Sequence, residues 1–133
     1  MKSFKLWLCL LILGLLAPAL VWLCGPPADA AGVSAEIKAI YEKQCKKCHG
    51  WDGKGQTAQG KKLNLHDWTS AQFQKEAKDE ELLKIILEGY QDPKNPKRKM
   101  KAYKGVITES QARELVQVVR AYAKAPGPFP GEK

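Results

Sequence analysis

Five consecutive residues, Cys45-Lys46-Lys47-Cys48-His49, carry the most specific chemistry in the chain. Residues at i and i+3 share one face of a helical turn, so two thiols stand side by side there. That spacing suits addition to the two vinyl groups along one edge of a porphyrin. A histidine placed directly after them can stand under the ring and bond the iron as its proximal axial ligand. The run therefore reads as a covalent haem attachment site. Two other chemistries use paired cysteines. Structural zinc takes about four ligands, and beyond this run and the first thirty residues only His66 and carboxylates remain. A redox dithiol belongs in a βαβ setting, whereas the patterns around this pair are mostly helical.

Haem iron has a second axial position. Met1 and Met100 are the two methionines, and Met1 falls in an N-terminal leader. A lone methionine is commonly core filler. Met100, however, lies about fifty residues after the motif, in Lys99-Met100-Lys101-Ala102-Tyr103-Lys104-Gly105, behind Pro93 and Pro96. A polar, lysine-rich setting suits a ligand sulfur better than filler. His66 is the competing donor. It sits seventeen positions past His49, in a loop expected to run along the same side, and is read as a surface residue.

With Cys45 to Gly50, Asp52-Gly53-Lys54-Gly55, Gly89, Met100-x-Ala102-Tyr103 and a closing helix, residues 34–124 resemble a small class I cytochrome c. The resemblance implies an all-α fold of about four short helices and long loops around one covalent haem c. It implies thioethers from Cys45 and Cys48, iron ligation by His49 and Met100, and single-electron transfer rather than catalysis. This chain departs from the family pattern twice. Lys101 stands where a Pro usually follows the ligand Met. The Pro often found about a dozen residues after the haem His, whose carbonyl accepts the Nδ1–H, is also missing. A backbone carbonyl near Lys61 or Lys62 is the expected substitute. Two rivals remain: a ligand-binding or peroxidatic haem protein with a displaceable Met100, and a fixed electron-transfer subunit of a membrane oxidoreductase.

The elements that must position these residues begin with residues 1–30, which read as an export signal. Lys2 and Lys5 form its basic start, Leu6 to Cys24 its apolar run, and Ala28-Asp29-Ala30 a cleavage site before Ala31. The run exceeds the ~7–15 residues of a typical signal and approaches the ~20 of a membrane span, so an uncleaved anchor is the alternative. Residues 31–124 form the haem domain and 125–133 a Pro-rich tail. The domain is expected in the periplasm or another extracytoplasmic compartment. Its two cysteines belong to haem, which takes the place of a disulfide staple.

Ser34 caps a first helix that runs to Cys45, with Ile37, Ile40 and Tyr41 along one stripe. Residues 51–68 form a glycine-rich loop for wrapping the haem, with Leu63 and Leu65 as contacts. In it Trp68 either packs or donates its indole N–H to a propionate, and Trp51 is either ordinary packing or a surface aromatic. Thr69 with Gln72 suggests a capping box for a short helix through Lys78. Asp79 caps the next, which carries Leu82, Leu83, Ile86 and Leu87 and stops at Gly89. Tyr90 to Lys99, broken by prolines, delivers Met100 as an extended loop. Thr108 with Gln111 opens the last helix, expected to cross the first as the main packing contact. The tail reads as loosely held.

The chain carries 22 basic and 14 acidic residues, a net charge of +8, and without Lys2, Lys5 and Asp29 the balance is +7. Such a surface favours acidic protein partners or anionic membranes; export and haem argue against nucleic acid. Lys94, Lys97, Arg98, Lys99, Lys101 and Lys104 flank Met100 with no acid between them, and Lys46 and Lys47 lie inside the motif. Both groups are expected to border one haem face and to dock redox partner proteins.

Overall fold

Helix α1 (Ala35–Gln44) starts as its sequence requires: the Ser34 hydroxyl accepts the Ile37 N–H at 3.2 Å. The computed structural model describes residues 32–133; the leader, its cut before Ala31 and the alternative anchor lie outside the described residues. After α1 come α2 (Lys46–His49), α3 (Ala58–Leu63), α4 (Ala71–Glu76) and α5 (Asp79–Glu88). The hairpin β1 (Tyr90–Gln91) and β2 (Lys99–Met100) follows, and then α6 (Glu109–Ala121). Among the described residues no helix is long and apolar enough to cross a membrane.

The all-α expectation holds, with six helices among the described residues rather than about four. One extra helix is the single turn of the Cys45–His49 motif. The other, α3, lies inside the stretch expected to be loop. It is too short for hydrophobic periodicity to reveal, and it is nucleated by a side chain: the Thr57 hydroxyl accepts the Gly60 N–H and donates to the Cys48 carbonyl, both at 2.9 Å.

Two expected caps are corrected by competing bonds. The Thr69 N–H and hydroxyl both go to Asp67 Oδ1, at 2.8 and 2.7 Å, so Ser70 caps α4 instead, accepting from Phe73 N–H. Asp79 falls in the first turn of α5, where its charge suits the dipole, and its carboxylate takes Arg120 Nε at 2.6 Å. Arg120 also donates to the Gln74 and Ala77 carbonyls, at 2.9 and 2.5 Å, closing the open end of α4. Hydrogen bonds to a charged, half-buried group contribute about 1.5–3 kcal/mol each. An exposed pair such as Lys84–Glu88, at 3.9 Å, contributes close to nothing.

Helix α6 opens with the complete Thr108–Gln111 capping box and buries Ala112, Leu115, Val116, Val118 and Val119. Its main packing partner is α5, with α1 second, the reverse of the expectation. The reason lies in the chain's return path. The Tyr103 and Lys104 N–H groups bond the Ile86 and Leu87 carbonyls, at 3.1 and 2.9 Å, and bring the start of α6 back beside α5. The tail is held more closely than its prolines imply. Phe129 is buried, with its ring 4.7 Å from Tyr41 and 5.1 Å from Trp51, and Lys38 pairs with Glu132. Trp51 stacks on Tyr41 at 5.6 Å and is ordinary packing rather than a surface aromatic.

Gly60 brings α3 hard against the Cys45–His49 motif. A Cβ there would lie 2.1 Å from the Gly55 carbonyl oxygen and 2.5 Å from that of Cys48, both backbone atoms. Gly60→Ala should therefore destabilise the protein by about 1–3 kcal/mol, the usual cost of overpacking, measured by denaturant unfolding. An unchanged midpoint would show that the contact can relax.

Candidate cofactor site

The end of α1 passes directly into the motif. Cys45 N–H bonds the Tyr41 carbonyl at 2.8 Å, and the N–H groups of Cys48 and His49 both bond the Cys45 carbonyl, at 3.1 and 3.0 Å. This turn sets the two thiols and the imidazole in fixed succession. Gly50, at φ 76°, then turns the chain away. The two sulfurs are not joined. Burial, reinforced by the neighbouring Cys48, pushes the Cys45 thiol up to about 12, and burial also raises Cys48. Neither is the depressed-pKa thiolate of a redox dithiol. Among the described residues no three His, Cys, Asp or Glu side chains gather to hold a metal ion.

His49 is a neutral imidazole at pH 7, since burial lowers its pKa to about 4. Its Nδ1 is buried without a hydrogen-bond partner among the described residues. The carbonyl expected near Lys61 or Lys62 does not supply one. Helix α3 ends at Asn64 in the left-handed region, and the Asn64 and Leu65 N–H groups take the Lys61 and Gly60 carbonyls. His49 instead has an aromatic neighbour: the Trp68 ring lies 4.0 Å away and only 20° from parallel. The Trp68 ring thus packs, and does so against the imidazole itself.

Met100 arrives on a strand. Tyr90 pairs with Met100 and Gln91 with Lys99, antiparallel. Asp92 shapes the turn between them, accepting Lys94 and Asn95 N–H on one carboxylate oxygen and holding Arg98 at 3.6 Å with the other. Gly89, at φ 81°, is required beside this strand, because a Cβ would lie 2.8 Å from the Met100 carbonyl oxygen. Beyond Met100 the Tyr103 hydroxyl donates to the Gln44 carbonyl at 2.7 Å, and Lys101 Nζ reaches Gln44 Oε1 at 3.2 Å. Sequence reasoning missed these ties to the end of α1; no spacing rule links residues 44 and 103.

Cys45, Cys48, His49 and Met100 line a single cavity of about 710 Å³. Leu63, Leu65, Leu82, Ile85 and Leu115 give it apolar walls, while His66, Asp67, Arg98 and Lys99 add polar ones. His66 is exposed as expected, although it borders the cavity, 5.7 Å from the Phe73 ring. Two thiols, a neutral imidazole with an orphaned ring nitrogen and a thioether, converging on an apolar-walled cavity, are a donor set that fits haem c.

The sequence model of the cytochrome c family matches residues 34–121. The chain is also similar to two solved structures. One is the KustC0563 c-type cytochrome, 31% identical, with 66% of this chain and 96% of that chain covered and a TM-score of 0.54. The other is a mutant form of Kustc0563, 28% identical, covering 65% and 96%, with a TM-score of 0.53. No curated protein matches.

Proposed function

The chain belongs to the cytochrome c family, and from that premise we propose an exported carrier that passes single electrons between redox partners with His49 and Met100 as axial ligands. Membership in the family brings one covalently attached haem c and the role of electron carrier. When bound, the haem supplies an iron that alternates between ferrous and ferric states. Cys45 and Cys48 hold it through thioethers. His49, neutral at working pH, offers a free lone pair. Met100 offers a soft sulfur, which with histidine opposite favours the ferrous state and raises the reduction potential. With both positions taken, no site is left for a substrate, which makes the protein a carrier rather than an enzyme. The observation that carries this reading is the convergence of all four side chains on one cavity.

Export rests on residues 1–30, whose basic start, apolar run and Ala28-Asp29-Ala30 site read as a signal, and on the typically extracytoplasmic placement of cytochrome c domains. The periplasm or a like compartment follows from both. Docking rests on charge. Lys47, Lys99 and Lys101 border the cavity from both sides of the sequence. Lys46 lies over the Trp51 ring at 4.9 Å. Arg98 contributes less, being mostly buried against Asp92, so Lys47, Lys97, Lys99 and Lys101 carry the positive rim. Such a rim steers acidic partners and turns the cavity mouth toward them.

Met100→Ala tests ligation. The variant should bind CO readily in the ferrous state and show a lower potential, while the wild type binds CO poorly. Ready CO binding by the wild type would favour the ligand-binding rival, and an equal spectral effect of His66→Ala would move the sixth ligand there.

Docking is tested with the Lys97→Glu/Lys99→Glu variant. Exposed charges are screened over a Debye length of ~8 Å near physiological salt. Stopped-flow electron transfer from the wild type to an acidic partner should therefore slow steeply as salt rises, and the variant should be slower at low salt with little change in potential. Rates that ignore salt, or equal rates at low salt, would reduce these lysines to solubilising surface.

A further inference from the structure

A histidine that binds a metal almost always donates its other ring N–H to a carboxylate, a carbonyl or water, which fixes the ring's orientation and raises its basicity as a ligand. His49 lacks that partner. Its Nδ1 is buried and unbonded among the described residues, and the Gly60 and Lys61 carbonyls are taken by the end of α3. What meets the imidazole is the flat face of Trp68, 4.0 Å away and within 20° of parallel. We propose that Trp68 is the positioning residue for His49: its stacked ring sets the plane of the imidazole. The proposal rests on the reading of His49 as an axial ligand.

Trp68 is itself held too firmly to be incidental packing. Its backbone N–H bonds the Gly53 carbonyl at 2.9 Å, and its backbone carbonyl accepts Gln74 Nε2 at 2.6 Å. The same Nε2 reaches the Val119 carbonyl at 2.9 Å, and Arg120 grips the Gln74 carbonyl and Oε1 at 2.9 and 3.2 Å. The Tyr122 ring also lies near the indole, with centroids 5.8 Å apart. Hydrogen bonds thus run from α6 through Gln74 to the Trp68 backbone, and the Trp68 ring stacks on the imidazole. The chemical consequence follows from the ring's orientation. A histidine whose ring N–H finds an acceptor is a stronger electron donor, and a stronger donor favours the ferric state.

The test uses the holoprotein and two variants. Trp68→Leu removes the ring and frees the imidazole to turn its Nδ1–H toward an acceptor. It should shift the ferrous–ferric equilibrium about tenfold toward ferric, a drop of about 59 mV for one electron, and should rearrange the haem methyl proton shifts of the ferric protein, which report imidazole orientation. Trp68→Phe keeps a flat ring and should hold both readouts near wild type. A Leu variant with wild-type potential and methyl pattern, or a Phe variant displaced as far as Leu, overturns the proposal. Should the Leu variant fail to fold, wild-type ferrous NMR decides: cross-relaxation between the Trp68 and His49 ring protons supports the stack, and its absence overturns it. A His49→Ala variant with the wild-type low-spin spectrum would overturn the axial reading itself, and the proposal with it.

Discussion

The hydrogen bond from the Tyr103 hydroxyl to the Gln44 carbonyl, at 2.7 Å, joins the two segments that carry the site. Gln44 stands one residue before Cys45, and Tyr103 three residues after Met100. The two are far apart in sequence, so closing the loop between them costs chain entropy that one net bond of about 1 kcal/mol does not repay. The closure is also supported by the Tyr103 and Lys104 bonds to α5 and by the steric fit of Gly89 under the Met100 strand. The Met-bearing hairpin is tied down on both sides. A further bond between iron and Met100 would add to a closure the backbone already makes.

A domain of about a hundred residues buries little apolar surface for its size. The structure shows where the shortfall is met. Ile37, Tyr41, Ala112, Leu115 and Val116 pack together in the protein's own core. Leu63, Leu65, Leu82 and Ile85 are half-buried and line the cavity. A covalent haem would complete their burial, and its thioethers would stand in for the disulfide that an exported domain of this size commonly uses. The C-terminal helix serves both parts. Its apolar face builds the core, and Arg120 anchors the α4–α5 junction and, through Gln74, the loop that carries Trp68.

What could be read from the sequence divides along physical lines. Cys45, Cys48, His49 and Met100 stood out as candidates because covalent attachment and soft-sulfur ligation would demand those residue types, and the structure gathers them at one cavity. Helices α1 and α6 were legible because they are long enough for a stripe and carry side-chain caps at Ser34 and Thr108. Helix α3 was not, having six residues and no period. That omission had a cost at the site: the carbonyls expected to orient His49 lie in α3, and that of Lys61 is used by the helix's own C-terminus. The caps at 69 and 79 failed because Asp67 and Arg120 compete for the same atoms, and sequence spacing does not rank such competitors. The Trp68 stack had no signal at all, since it depends on how a glycine-rich loop folds back over nineteen residues.

The sharpest single observation is the optical spectrum of the ferric holoprotein at neutral pH. Axial bonds from His49 and Met100 predict a low-spin spectrum with the weak far-red band of sulfur–iron bonding. A high-spin spectrum, or a low-spin one without that band, would contradict them.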